Sequence, residues 1–403
     1  MSSRIGRLAA RAERALAMLR KEGAAEVVSR IRHGKRRNIV EQFGLVSQAE
    51  PARTARDGEA PPNTINWVIP PFAAGVGGHI NSMRFIAMLA ARGYRICIVV
   101  DAGSWMGTSQ EVSEKLQATF GPVDAQVVLG TKNAPPSYAA VATGWEQAYA
   151  VRNSLVARER FYFVQDFEPW FYAHGSEYQF AEDTYSFGFT GLTAGNWLAS
   201  KLRTEYGMTC HSVGFSYDKK LYRAGPHPGH AGHRVFFYAR PSTERRGFEL
   251  GLLALDRLCR AVPGVIVVFA GADVSRYAIP FAHESLGSMS VDRLPAIYRS
   301  CDLALVISMT NLSLLPLELM ACGVPVVSNT GAWAEWLLNE QNAALAEPNV
   351  VALADAMVAL LADDSERQRL AAAGMAFAIT TSWEREGDAM ASALASRGCV
   401  PVG

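Results

Sequence analysis

No apolar run in the 403-residue chain approaches the roughly 20 residues that a membrane-spanning helix needs. Runs such as those at 95–100 and 265–270 have only strand length. The six cysteines (97, 210, 259, 301, 322 and 399) lie singly in apolar stretches, with no Cys-x-x-Cys among them. That excludes a thiolate metal cage and a dithiol redox motif, and points to reduced, buried thiols of a cytoplasmic protein. The N-terminus lacks the apolar core of a secretion signal. Gly-x-Ser-x-Gly, Gly-Lys-Ser/Thr and Asp-x-Asp are all absent. These absences remove a nucleophile-elbow hydrolase, a Walker A nucleotidase and a paired-aspartate metal site.

The chain is long enough for two or three domains with real cores. Its 49% hydrophobic content and mean hydropathy of +0.05 suit a soluble globular protein. The net charge of +1 hides an asymmetry. Residues 1–37 carry eleven Lys/Arg against three Glu, a net +8, so the rest is mildly acidic at −7. Leu8, Ala12, Leu16, Leu19, Val27 and Ile31, interleaved with Arg, predict a basic amphipathic helix. Such an arm suits the surface of an anionic membrane or a partner protein, and gives no sign of nucleic-acid binding.

Residues 1–45 read as this arm and 46–63 as a Ser/Ala/Pro/Gly linker. From Ile65 onward, strand-like runs alternate with helical ones, the grammar of a doubly wound α/β unit over 64–215. A second such unit covers 216–380, its opening residues serving as the connection. A last helix at 381–403 is expected to pack back on the first unit. Two facing α/β units put a ligand between the C-terminal ends of their strands.

Four stretches carry candidate chemistry. Pro70–His79 follows the first strand and is glycine-rich, so Gly77 and Gly78 can admit a phosphate close to the backbone; a plain tight turn fits the same residues. Arg240, Arg245 and Arg246 follow the first strand of the second unit, where guanidinium forks suit a diphosphate. Gln165-Asp166-Phe167-Glu168-Pro169-Trp170-Phe171-Tyr172 sets carboxylates beside aromatic faces, the composition of a sugar site, although the aromatics also suit a core. Asp166 is a candidate base there. Ser313, Leu314 and Leu315 precede a helix whose Glu318 lies one turn in; a carboxylate beside phosphates is repelled, so a sugar hydroxyl is its better partner. His227, His230 and His233 have ligand-like spacing. With no Cys or carboxylate nearby in sequence, they read as connector, and no metal is expected.

From about residue 64 to 395 these residues resemble the GT-B glycosyltransferases of family 4. The signals run in order: Gly77-Gly78-His79, Ala142-Thr143-Gly144-Trp145, Arg240…Arg246-Gly247, Leu286-Gly287-Ser288-Met289, and Leu315-Pro316-Leu317-Glu318 running into Gly323-Val324-Pro325. Asn66–Pro71 and Gln165–Pro169 look most like the WsaF-type rhamnosyltransferases. The resemblance implies two Rossmann-like domains facing a cleft. Arg240 and Arg246 would bind the donor diphosphate, together with backbone at Ser313–Leu315 and at Gly77 and Gly78. Glu318 would contact the ribose, and Gly271 and Gly287, Ser288 and Met289 would surround the base. His79 and Asp166 would flank the transferred sugar, and Glu168, Trp170 and Tyr172 would meet the acceptor.

In the WsaF-type subgroup the donor is dTDP-L-rhamnose. The implied reaction is transfer of rhamnose, with retention and without metal or other cofactor, to a sugar hydroxyl of a lipid-linked bacterial glycan at the inner face of the membrane. One departure stands out. The family's first motif glutamate would fall at position 310, where this chain has Thr310. Three alternatives remain: transfer from another nucleotide sugar, other chemistry on the same architecture such as epimerisation, and donor binding without catalysis.

Overall fold

The computed structural model describes residues 38–48, 50–73, 77–102 and 106–401. The basic arm at 1–37, and Gly75 and Val76 of the glycine-rich turn, lie outside the described residues.

Two wholly parallel sheets organise the chain. The first has seven strands: β1 (Thr64–Ile69), β2 (Arg95–Val100), β3 (Gln126–Leu129), β4 (Ser137–Ala142), β5 (Ala157–Val164), β6 (Thr190–Ala194) and β7 (Cys210–Val213), in spatial order β3-β2-β1-β4-β5-β6-β7. Helices α1 (Ile39–Gln42), α2 (Gly77–Ala90), α3 (Ser109–Phe120), α4 (Trp145–Ser154), α5 (Ser176–Asp183) and α6 (Asn196–Tyr206) accompany it. The second has six strands: β8 (His233–Tyr238), β9 (Val265–Ala270), β10 (His283–Ser285), β11 (Leu303–Val306), β12 (Val326–Asn329) and β13 (Ala344–Ala346), in order β10-β9-β8-β11-β12-β13. Its helices are α7 (Phe248–Ala261), α8 (Leu294–Arg299), α9 (Leu315–Ala321), α10 (Ala332–Glu335), α11 (Val350–Ala362), α12 (Asp364–Thr380) and α13 (Trp383–Ala395).

The central strands read as unbroken apolar runs because helices cover both faces of a parallel sheet. In β2 every residue from Ile96 to Val100 is buried. Helix starts follow local capping chemistry. Thr108 and Glu111 form a reciprocal capping box on α3, and Asn349 and Asp363 accept backbone N–H bonds at the starts of α11 and α12. Helix α10 stops at Glu335; beyond it, Asn339 N–H donates to Asn342 Oδ1 at 2.9 Å in a turn.

Helix α13 packs on α2 and β7 of the first unit. Arg92 pairs with Asp388 at 2.6 Å, and the Gly214 N–H donates to Glu386 Oε2 at 2.5 Å. Val400 N–H then donates to Pro62 O at 3.1 Å, ahead of β1. All six cysteines are free, five of them buried. No helix among the described residues is long and apolar enough to cross a membrane.

Candidate active site

The C-terminal ends of β8 and β9 are drawn together by backbone. Gly271 N–H donates to Gly287 O at 2.9 Å, and Ala239 N–H to Ala270 O at 2.8 Å. Gly271 has φ +100°, and a Cβ there would lie 2.7 Å from the Tyr238 ring, so only glycine fits. Exposed Ser288 and half-buried Met289 follow Gly287. Arg240 is exposed at the end of β8, its guanidinium 5.1 Å from the Tyr238 ring centroid. These residues form one rim, open on its Arg240 side.

Glu318 lies in the first turn of α9. Burial pushes its carboxyl up to about 7, against the pull of Arg84 and hydrogen bonds from Tyr298 and Tyr222. Tyr298 OH stands 3.4 Å from Glu318 Oε2. Arg84 belongs to α2 of the other unit, is lowered by burial, and keeps a buried Nη1 without a hydrogen-bond partner. Ahead of α9, exposed Ser313 accepts from Leu315 N–H at 3.4 Å through its Oγ.

On the facing side, Gly78 opens α2 against Gln165, whose Nε2 donates to Gly78 O at 3.0 Å. A Cβ on Gly78 would stand 3.3 Å from that amide nitrogen, whereas the same position on Gly77 faces open space. His79 Nδ1 accepts from Ala73 N–H at 3.4 Å, and burial lowers the ring's pKa.

The two units are clasped at Asp166, Thr310 and Asn311. Asp166 is buried, and its Oδ1 accepts the backbone N–H groups of Phe167 at 2.8 Å and Asn311 at 3.1 Å. Its Oδ2 accepts from Thr310 Oγ1 at 2.8 Å and lies 3.7 Å from Arg245 Nε. Burial raises the carboxyl while Arg246, Arg245 and Thr310 hold it down. Asn311 Oδ1 accepts from the indoles of Trp197 at 3.0 Å and Trp336 at 2.8 Å. Its Nδ2 donates to Gln165 O at 2.9 Å and Ala194 O at 3.0 Å. Thr310, where the resemblance led a carboxylate to be expected, thus donates to a carboxylate of the opposite unit.

Several of the expected site residues are already engaged within the protein. Asp166 is a bridging carboxylate with both oxygens accepting hydrogen bonds. Arg246 donates through Nη1 to Ser308 Oγ at 2.8 Å and Asn311 O at 2.7 Å, and burial lowers it to about 10. It therefore shapes the 308–311 loop before it could reach a diphosphate. Glu168 accepts from Tyr162 OH at 2.7 Å and from Trp145 N–H, at the start of α4, at 2.8 Å. Burial raises it to about 8, and it serves as an internal cap rather than an acceptor ligand. Tyr172 OH accepts from Trp145 Nε1 at 2.8 Å, and Trp170 packs between Trp197 and Trp333, so both support the wall. His227, His230 and His233 do have a companion carboxylate: Asp302, 69 to 75 positions away in sequence, is folded against all three.

Sequence reasoning passed over Asn311, Arg84 and the particular place of Arg245. Arg245 stacks 4.0 Å over exposed Phe171 and keeps a buried Nε without a hydrogen bond. Only the triple-arginine loop hinted at it, and nothing local marks Arg84 or Asn311. Asp101, Gly130, Thr131 and Lys132 border a further cavity of about 510 Å³ at the β2–β3 edge, distant from this clasp in sheet order.

Residues 233–358 match the family model described as WsaF, C-terminal domain. Over 349 residues the chain is 34% identical to the O-antigen biosynthesis protein RfbC of Myxococcus xanthus. That alignment takes in 84% of this chain and 27% of RfbC, so the chain spans about a quarter of that relative's length. Among solved structures, Anabaena HepE in complex with UDP and glucose superimposes with a TM-score of 0.61 at 17% identity, covering 83% of this chain and 99% of HepE. Sucrose-phosphate synthase from Thermosynechococcus elongatus gives 0.59 at 14% identity, covering 82% and 97%. At such identities these structures establish a common fold, two facing parallel α/β units.

Proposed function

From a chain that carries a WsaF-type C-terminal domain on a GT-B fold, we propose a glycosyltransferase of bacterial surface-glycan assembly that takes its sugar from a nucleotide diphosphate donor. The observation that carries this reading is the set of cationic groups bordering the interdomain cleft. Arg240 is exposed, and Arg245 Nε and Arg84 Nη1 are buried without hydrogen-bond partners. Departure of a diphosphate builds negative charge, and preorganised guanidinium donors in a site poor in water stabilise it without a bound metal. Glu318, near half-protonated at neutral pH, suits a ribose hydroxyl better than a phosphate. Gly271 and Gly287–Met289 leave a flat rim for the base.

The UDP and glucose in HepE and the O-antigen role in the name of RfbC support the donor class and the glycan product. The finer assignment is dTDP-L-rhamnose as donor, with retention of configuration, no cofactor, and a lipid-linked acceptor met at the inner face of the membrane. A 6-deoxy sugar lacks the O6 hydroxyl, which fits a site where Thr310 replaces a carboxylate. The basic segment 1–37 supplies the anionic-membrane contact; equal binding to anionic vesicles by the full chain and by a chain starting at Pro62 would remove that element.

A donor panel of dTDP-rhamnose, UDP-glucose and GDP-mannose, with EDTA present, tests the core of the proposal. The expected result is tightest binding of dTDP-rhamnose and release of dTDP in the presence of acceptor glycan. Complete dependence of initial rates on Mg²⁺ or Mn²⁺ overturns the metal-free account. The engagement of Asp166 by Thr310 favours one second reading, donor binding without transfer, which predicts calorimetric binding and no turnover on any acceptor pool.

A further inference from the structure

The connector between the two units ends in a cluster that the transfer chemistry does not use. His227 Nε2 lies 3.9 Å from Asp302 Oδ1, His230 Nε2 3.6 Å from Asp302 Oδ2, and His233 Nδ1 3.8 Å from the same oxygen. The ligating atoms of His227, His230 and Asp302 all fall within 4.8 Å of one another. We propose that these three residues bind one divalent transition metal of the zinc class, and that the metal staples the interdomain connector to the second sheet.

The geometry resists the simpler alternative of a plain hydrogen-bonded His–Asp pair. His230 Nδ1 faces Gly232 O at 3.2 Å, and a carbonyl can only accept, so the proton of a neutral ring sits on Nδ1. The Nε2 lone pair then points at a carboxylate oxygen, a contact relieved either by a second ring proton or by a cation bound between them. Both His230 Nε2 and His233 Nδ1 are buried without any hydrogen-bond partner. At 3.6–3.9 Å the pairs are too long for N–H···O bonds, which close at about 2.7–3.2 Å. Bonds of about 2.1 Å at tetrahedral angles separate ligand atoms by about 3.4 Å; the His–Asp pairs at 3.6–3.9 Å are close to that, and all three ligand atoms lie within 4.8 Å of one another.

The surroundings match a ligand sphere. A metal-binding imidazole commonly donates its other N–H to a carbonyl, as His230 does to Gly232. Asp302 Oδ2 is held by Arg234 N–H at 2.7 Å, which fixes the carboxylate. Gly232 has φ +76°, and a Cβ there would stand 2.7 Å from Gly264 O, so the turn is pinned against the approach to β9. Two imidazoles and a carboxylate favour zinc over magnesium or calcium, which take oxygen ligands. The cluster sits where β8 and β11 begin, whereas Arg240 sits where β8 ends, about 20 Å away at 3.3 Å per residue. The metal would therefore hold the hinge and take no part in sugar transfer.

The full chain, stripped with EDTA and dialysed, is titrated with Zn²⁺ against a chromophoric competitor, and separately with Co²⁺, whose visible spectrum reports tetrahedral ligation. One equivalent should bind and raise Tm, with no matching effect of Mg²⁺. His227→Ala and His230→Ala should each weaken Zn²⁺ binding about 100-fold or more, since even loss of an outer-sphere partner costs 10–100-fold. His227 is exposed, so its removal leaves the core intact and keeps the test clear of misfolding. Failure of the native chain to take up Zn²⁺, or affinity unchanged in both variants, overturns the proposal. Donor binding by the His227→Ala chain, measured alongside, separates this inference from the transferase reading.

Discussion

Glu168 and Glu318 are buried carboxyls whose protons survive well above the ordinary range, to about 8 and about 7. Between pH of about 4.5 and 8 the unfolded chain has released these protons while the native state still holds them. Stability must therefore fall as pH rises through this window. Glu168→Gln, which keeps an acceptor for Trp145 N–H, should flatten that fall; urea midpoints from pH 4.5 to 8.5 measure it. Thr310 makes the same physics visible in the opposite direction. Thr310→Val removes one donor to buried Asp166 and should cost about 1–3 kcal/mol. Thr310→Glu sets a second carboxylate against Asp166 and should cost more, while weakening use of a deoxy-sugar donor; improved rhamnose transfer by that variant would refute the reading of position 310. The sequence marked Thr310 as a departure but not its cause, because Asp166 lies 144 residues away and only the folded interface joins them.

At the scale of the element, the strands were the most legible part of the chain. Parallel strands buried on both faces need apolar side chains at every position, so β2, β8 and β9 announce themselves. Short elements did not. The three-residue β10 and β13 are held by neighbours rather than by their own pattern. Helix α7 shows how closely helix and sheet are fitted: Gly251 faces Phe237 of β8, and a Cβ there would run into the ring. Gly251→Ala should destabilise by about 1–3 kcal/mol through overpacking, read from chemical denaturation, even though alanine is the better helix former. The loops after β9 and β10 were marked by Gly271 and Gly287, which the fold joins by a backbone hydrogen bond. The inward turn of Arg246 was not, since its partners Ser308 and Asn311 O belong to another loop.

For the molecule as a whole, closure depends on Asn311. Its side chain joins Gln165 and Ala194 of the first unit to the loop after β11, and it satisfies two indole N–H groups. Asn311→Ala strands those groups at about 1–3 kcal/mol each. The expected outcome is a larger radius of gyration by small-angle scattering and weaker donor binding, with both sheets still folded by circular dichroism. Two facing α/β units were readable from alternation alone, because each repeats the same period. How they close was not, because polar interface residues carry no periodicity.

The bond from Val400 to Pro62, with α13 on α2 and β7, brings the far end of the described chain back beside the start of the first sheet. In three dimensions the second unit is a passenger, inserted between parts of one continuous body. A dye or tether at either end of the described residues is carried by that body alone. Such a probe would stay silent to any change of angle between the units; reporting one requires a label on the second sheet.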